Sequence, residues 1–171
     1  MQWFDKVLDE TQYEYVLNKT LLGKEWQFIG YSSSSLDGIT FWHMDLADDP
    51  FFQDEFLPAI ESLTGKKFEI QRVYANGQTN GLPGNLHWDV DPDVYSPELY
   101  YTFNYYVNPL WDLQWGGQTV ILHEDGVVDT VYPKRNTGLL FNSTLHHLGS
   151  EPTRLCKELR VTVAFKLKEI L

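Results

Sequence analysis

The sequence has little cysteine, little positive charge and no long apolar run. Cys156 is the only cysteine among 171 residues, which excludes an intrachain disulfide and indicates a reducing, intracellular setting. No apolar run approaches the roughly 20 residues that a membrane-spanning helix needs, and the first residues lack the basic and apolar segments of a secretion signal. We therefore expect a cytoplasmic protein without a membrane segment.

The scarcity of basic residues also restricts the partners. Lysine and arginine number 13 against 24 aspartates and glutamates, which gives a formal net charge of -11 at pH 7, and no basic cluster offsets it. A field of this sign repels a phosphate backbone. A nucleic-acid substrate is therefore disfavoured, whereas a peptide, a protein or a small molecule stays open, as does the oligomeric state.

The chain is rich in aromatic residues, at 15% of a sequence that is 43% hydrophobic. This composition favours a β-rich fold over a helical bundle, and the length fits one domain with one core. Helical spacing is found near the N-terminus, over residues 4–19 and 51–63. Asp49 is the expected N-cap of the second helix and Gly65 its C-cap.

Short strands and turn signals dominate the rest of the sequence. They predict a mainly β protein with N-terminal helices, folded as a double-stranded β-helix, the cupin-like jelly roll. Within one domain of residues 1–171, helices and edge strands in about 1–67 support a core in about 68–168. Polar turns or loops are predicted at residues 32–35, 76–84, 91–98 and 124–126.

The strand predicted over residues 100–107 has two different faces. Alternation places Thr102, Asn104 and Tyr106 on one face and apolar or aromatic neighbours on the other. A closed apolar core would reject unpaired polar groups, so the polar face indicates a polar cavity.

The most informative stretch is residues 85–91, which places His87 two residues before Asp89. In an extended strand, residues i and i+2 point to the same side, so both side chains can reach one metal ion. A third ligand is available from His146 or His147, which are adjacent and would point to opposite faces. Two histidines and one carboxylate with open coordination positions are the ligands of non-haem Fe(II) oxygenases.

This order of motifs resembles the 2-oxoglutarate- and Fe(II)-dependent dioxygenases, and most of all their prolyl 4-hydroxylase-like branch. After the His-x-Asp and the distant histidine comes Arg160, which opens an apolar strand. Residues 72–78, 105–109 and 115–119 agree with the family pattern, and the resemblance covers about residues 68–168. Aligning Phe141 makes His147 the third ligand and Gly149 the small residue that follows it.

The resemblance implies a site for Fe(II) and for 2-oxoglutarate. Arginine offers a planar fork that suits the distal carboxylate of 2-oxoglutarate, and Arg160 is preferred over Arg154 because a strand positions it better than a loop. His43 is expected to be a packed or surface histidine rather than a metal ligand, and His123 is expected at the surface. The implied metal ligands are His87, Asp89 and His147, and the implied 2-oxoglutarate contacts are Arg160, Tyr106, Thr162 and Tyr74.

The implied reaction is hydroxylation of an unactivated C–H bond by O2, with decarboxylation of 2-oxoglutarate to succinate and CO2 and with ascorbate as an accessory reductant. A prolyl residue of a peptide or protein is the first substrate expected. Alternatives are the same chemistry on a small metabolite or another side chain, a cupin-like zinc or manganese enzyme, and a non-enzymatic jelly-roll binding module.

Overall fold

Two antiparallel sheets form the protein, shown by a computed structural model that describes residues 1–32, 38–96, 98–123 and 125–171. The strands are β1 (Gln2–Asp5), β2 (Gln27–Gly30), β3 (Phe41–Asp45), β4 (Phe68–Gln78), β5 (Tyr100–Tyr106), β6 (Thr119–Leu122), β7 (Val128–Val131), β8 (Thr137–Asn142), β9 (His146–Gly149) and β10 (Arg160–Glu169). The helices are α1 (Glu10–Lys19), a π-helical turn (Phe52–Phe56) that continues into α2 (Leu57–Thr64), and a 3-10 turn (Leu113–Trp115).

The major sheet has seven strands in the order β1-β8-β5-β10-β4-β3-β2, and the minor sheet has three in the order β7-β6-β9. This is the mainly β jelly roll that the sequence predicts. In the described part of the chain, no helix is long and apolar enough to cross a membrane.

The two faces of the major sheet have different roles. One face packs against the helices, where the Phe56 ring lies 4.8 Å from Phe165 on β10 and 4.9 Å from Tyr105 on β5. Phe103 and Val107 are buried in the same cluster, whereas Asn104 lines a cleft on the opposite face. The alternation predicted for β5 is therefore confirmed, and its polar face turns toward the cleft.

The N-terminal helix predicted from residue 4 begins later than expected. Gln2–Asp5 form β1, which pairs with β8 at the edge of the major sheet. Lys6 has a positive φ of 53°, which turns the backbone after β1. A capping box between Asp9 and Gln12 then starts α1. Helical spacing around Phe4 was misleading because this residue packs against the core from a strand.

The second helix begins and ends as predicted. The Asp49 carboxylate accepts a hydrogen bond of 3.1 Å from the Phe51 N–H, as an N-cap does. At the other end Gly65 adopts φ 70°, the left-handed conformation of a glycine C-cap.

Two predictions near the motif need correction. The loop expected at residues 76–84 starts later, because β4 continues through Gly77 to Gln78 and pairs with both β3 and β10 there. His87 lies on no regular strand and makes an isolated bridge with His147. The turns predicted at 32–35 and 124–126, and the loop at 91–98, include residues 33–35, 124 and 97, which lie outside the described residues.

The start of β10 is fixed by Asn108, a buried residue just after β5. Its amide donates to the Leu159 carbonyl at 2.8 Å, and its side-chain oxygen accepts from the Val161 N–H at 2.8 Å. These two bonds hold the backbone on both sides of Arg160. Asn108 therefore positions the first side chain of β10.

Replacing Asn108 by alanine should lower the free energy of unfolding by about 2 to 4 kcal/mol, because two buried backbone groups lose their partner. Urea denaturation measures this. Asn18→Ala is the control, since its exposed amide bonds the Glu14 carbonyl within α1, and its expected effect is below about 0.5 kcal/mol. Equal losses in the two variants would contradict the role given to Asn108.

Candidate metal centre and its cleft

Three side chains predicted as metal ligands come together between the two sheets. The backbones of His87 and His147 exchange N–H···O bonds of 3.0 and 2.8 Å, and the Asp89 N–H donates to the Ser143 carbonyl at 2.9 Å. This short bridge places the side chains of His87, Asp89 and His147 so that one ligand atom of each lies within 4.8 Å of the others. The triad is thus assembled by backbone pairing of residues 87–89 with β9 and the turn before it.

The protonation of the two imidazoles follows from their outer partners. Nδ1 of His87 lies 2.8 Å from the Asn85 carbonyl oxygen, and Nδ1 of His147 lies 2.9 Å from that of Leu145. A carbonyl oxygen only accepts, so each Nδ1 carries a proton, and Nε2 is the ring nitrogen that points inward. Such bonds to ligand histidines fix the ring orientation in metal sites.

The inner nitrogens face the carboxylate of Asp89. His87 Nε2 lies 3.5 Å from Oδ1, and His147 Nε2 lies 3.3 Å from Oδ2. An Nε2 lone pair and a carboxylate oxygen repel each other at these distances unless a cation, either a proton or a metal ion, lies between them. The donor set and its geometry therefore fit a divalent metal ion.

Asp89 is almost fully buried and strongly anchored. Its Oδ2 accepts a hydrogen bond from the Lys166 ammonium and another of 2.5 Å from Thr102 Oγ1, which lies 2.9 Å from Ser143 Oγ. Burial works to raise the pKa of the Asp89 carboxyl. The Lys166 ammonium, and then the contacts with His147 and His87, hold that pKa well below its ordinary value.

His147 is held in the form that binds metal. Burial lowers the pKa of its imidazole, against the opposing effect of the nearby Asp89. A metal ligand must be deprotonated. Both Asp89 and His147 therefore have the required protonation at neutral pH.

Arg160 lies deep in the same cleft and is buried. Its guanidinium donates to the Gly117 carbonyl, to Gln78 Oε1 at 2.8 Å and to Thr119 Oγ1 at 3.2 Å. These described partners are all neutral, and burial lowers the pKa of the guanidinium to about 10. Arg160 is thus a buried cation that stays charged at neutral pH and retains N–H donors for an anion.

The space around Arg160 depends on two glycines. Gly117 has φ 69°, and a Cβ there would come within 3.0 Å of Arg160 Cδ. A Cβ on Gly149 would come within 2.9 Å of the Gln78 amide oxygen that holds the guanidinium. The sequence pattern selected Gly149 as a small residue, and this contact supplies the physical reason.

Of the other three predicted 2-oxoglutarate contacts, two line the cleft and one does not. Thr162 is buried and Tyr74 half-buried, and both line the cleft. Tyr106 is fully buried outside the lining, and its hydroxyl donates to Thr119 Oγ1 at 2.8 Å. Because Thr119 also accepts from Arg160, Tyr106 reaches that guanidinium through one intervening hydroxyl.

The remaining histidines and Arg154 stand outside the triad. His146 lines the cleft, with its ring 4.6 Å from that of Trp88. His43 also lines it, 5.1 Å from the Tyr74 ring, and burial lowers its pKa. His123 pairs with Asp129 at 2.7 Å, and Arg154 is exposed away from the cleft.

Sequence reasoning missed Lys166. It is buried on the cleft face of β10, in the alternating series that begins at Arg160 and includes Thr162 and Ala164. That alternation was readable from the sequence, because a lysine six residues after an inward arginine on one strand must share its face. The contact between Lys166 and Asp89 could not be read from the sequence, because it joins residues 77 positions apart.

The cleft has a volume of about 1140 Å³ and opens to solvent beside the triad. Leu86 and Trp88, on either side of His87, line it and are exposed to 49% and 43%. Ligand pockets commonly measure a few hundred to 1000 Å³. The cleft is therefore large enough for a small dicarboxylate between Arg160 and the triad and for part of a second molecule.

Residues 73–165, more than half of the chain, match the family model of the 2OG-Fe(II) oxygenase superfamily. The chain belongs to this superfamily. Its fold, its triad and its buried arginine agree with the dioxygenase resemblance seen in the sequence. Among curated proteins, none matches the sequence.

Solved structures with the same fold include prolyl hydroxylases. One from Trichoplax adhaerens, in complex with a hypoxia inducible factor oxygen degradation domain peptide fragment, is 17% identical, with TM-score 0.68 over 99% of this chain and 82% of that one. A Pseudomonas putida prolyl-4-hydroxylase is 16% identical, with TM-score 0.69 over 99% and 92%. A 2OG-Fe(II) oxygenase family oxidoreductase from Burkholderia pseudomallei is 12% identical, with TM-score 0.69 over 96% and 82%.

Removing the Lys166 ammonium should destabilise the metal-free protein and hardly affect the metal-bound one. In Lys166→Met, Asp89 is left as a buried charge without its cation, which should cost about 3 kcal/mol of unfolding free energy. A divalent ion supplies the missing positive charge, so Zn(II) should recover most of the loss. Urea denaturation with and without Zn(II) measures both values.

Lys168→Met is the matched control, because Lys168 lies two residues further along β10 outside the cleft. It should change the free energy of unfolding by less than about 0.5 kcal/mol in either condition. An equal loss in Lys166→Met with and without Zn(II) would show that Asp89 and Lys166 do not form the pair described.

Proposed function

We propose that the protein is an Fe(II)- and 2-oxoglutarate-dependent dioxygenase that hydroxylates an unactivated C–H bond, with a prolyl residue of a peptide or protein as its substrate. The observation that carries the proposal is the arrangement of the triad and a second, buried cation in one cleft. His87, Asp89 and His147 would hold Fe(II), and Arg160 would hold the distal carboxylate of 2-oxoglutarate.

The residues fit these roles by charge and geometry. Two neutral imidazoles and one carboxylate leave open positions on a divalent ion. The Arg160 guanidinium is a buried planar cation, and the three groups that accept its hydrogen bonds are neutral. A carboxylate can therefore bind it as the counter-ion. Thr162 lies two residues after Arg160 on β10 and also lines the cleft. When bound, iron and 2-oxoglutarate supply the oxidative chemistry, with O2 consumed and succinate and CO2 released.

The protein's own groups perform binding and orientation. The backbone bonds of His87 and His147 keep both Nε2 atoms facing Asp89, and Thr102 with Lys166 fixes the carboxylate. Tyr106 positions Thr119, which in turn positions the Arg160 guanidinium. Tyr74 lines the cleft and is placed to contact whatever lies beside the triad.

A peptide substrate is supported by the outer part of the cleft. Leu86, Trp88, Ile29 and Tyr31 line it and are exposed. Exposed apolar side chains around a polar centre suit a peptide that inserts one residue into the cleft while the residues on either side of it contact the rim. The prolyl hydroxylase from Trichoplax adhaerens, which has the same fold, was solved with a peptide.

Anaerobic titration with Fe(II) and 2-oxoglutarate tests the proposal, with visible absorption reporting chelation of the metal by 2-oxoglutarate. Wild type should develop the weak charge-transfer band. Arg160→Gln should need at least about tenfold more 2-oxoglutarate, because a charge-assisted pair is lost. Arg154→Gln removes the same charge outside the cleft and should titrate like wild type.

A His87→Ala variant with native-like folding should show no band at any 2-oxoglutarate concentration. Iron binding without the band in wild type would indicate a metalloprotein that does not use 2-oxoglutarate. No iron binding at all would favour the jelly-roll binding module.

A further inference from the structure

Two cations lie side by side on the cleft wall next to the triad. Arg72 on β4 and Lys166 on β10 are register partners in the antiparallel pair, and both line the cleft. Directly opposite residues share one face with their Cβ atoms about 5 Å apart. Arg160 begins the same strand at its other end, so Arg72 and Lys166 form a separate positive pair.

Like charges directly opposite each other destabilise a sheet unless an anion balances them. Asp89 balances Lys166 through its Oδ2. A divalent ion held by the triad would draw on the same negative charge. Lys166, still bonded to Asp89, and Arg72 would then give this wall net positive charge beside the metal.

A β-bulge directs additional polar groups to this place. The register of β4 with β10 shifts between Lys166 and Leu167, which leaves Gln71 as the extra residue on β4. Both Gln71 and Arg72 line the cleft as a result. Bulges next to active sites commonly redirect a side chain in this way.

The Arg72 side chain is exposed and makes no ion pair or hydrogen bond within residues 1–32, 38–96, 98–123 and 125–171. The one acidic side chain lining the cleft on the neighbouring strand, within these residues, is Asp45. Asp45 on β3 is the register partner of Tyr74 on β4. The Asp45 Oδ1 accepts a hydrogen bond of 3.0 Å from the Ala47 N–H. Arg72 and Lys166 thus face two carboxylates, Asp45 and the metal ligand Asp89, so a bound divalent ion would leave this wall with net positive charge, in a protein whose net charge is -11.

We propose that the substrate carries an anionic group, a carboxylate or a phosphate, which Arg72 binds beside the carbon that is oxidised, with Lys166 adding positive charge to the same wall. The proposal rests on the proposed function, since the metal held by the triad would both direct the oxidation and leave this wall with net positive charge. It predicts an acidic residue next to the target of a peptide substrate, or a free small acid.

NMR titration of the 15N-labelled protein tests this binding without turnover. The protein is loaded with Zn(II) in place of iron and with one equivalent of 2-oxoglutarate, so that Arg160 is occupied. The probes are acetyl-Pro-Glu-amide, its neutral counterpart acetyl-Pro-Gln-amide, and N-acetylglutamate. The variants are Arg72→Gln and, as the matched loss of one exposed guanidinium outside the cleft, Arg154→Gln.

An acidic probe should bind at least about fivefold more tightly than the neutral one, with shifts in β4 and β10. Arg72→Gln should weaken that binding at least about fivefold, and Arg154→Gln less than twofold. Preference for acetyl-Pro-Glu-amide would place the anion on a peptide, and equal binding of N-acetylglutamate would place it on a free acid.

Equal binding of acidic and neutral probes, no binding of any probe, or equal effects of the two arginine variants would overturn the anionic substrate while leaving the proposed function intact. Failure of the protein to bind Zn(II) and 2-oxoglutarate would overturn both.

Discussion

The buried carboxylate of Asp89 is the group on which the site depends. An isolated carboxylate is costly to bury, and this one is stabilised by the Lys166 ammonium, by Thr102 and by the two imidazoles that face it. The contacts come from β5, β9, β10 and the segment before β5. One charge therefore ties both sheets together and supports the triad that backbone pairing assembles.

Strand β10 carries this organisation through the cleft. Its inward side chains run from Arg160 through Thr162 to Lys166, with Ala164 between the last two. Arg160 is surrounded by neutral groups and Lys166 contacts a charged one. The two ends of one strand thus provide a place for a dicarboxylate and a counter-ion for the metal ligands, with the small Ala164 leaving room between them.

Local patterns predicted much of this from sequence. Alternation on β5, the caps at Asp49 and Gly65, and the jelly-roll class follow from neighbouring residues. The spacing of His87 and Asp89 indicated a shared metal, and the structure brings them to His147. Long-range contacts could not be predicted in this way: the pairing of β1 with β8, the extension of β4 and the Lys166 contact depend on distant partners.

A crystal structure grown anaerobically with Fe(II) and 2-oxoglutarate would test the central claim most directly. We expect an anomalous iron peak bound by Nε2 of His87, Nε2 of His147 and one oxygen of Asp89, with the distal carboxylate of 2-oxoglutarate on Arg160. Iron at another place, or 2-oxoglutarate bound away from Arg160, would contradict this account of the site.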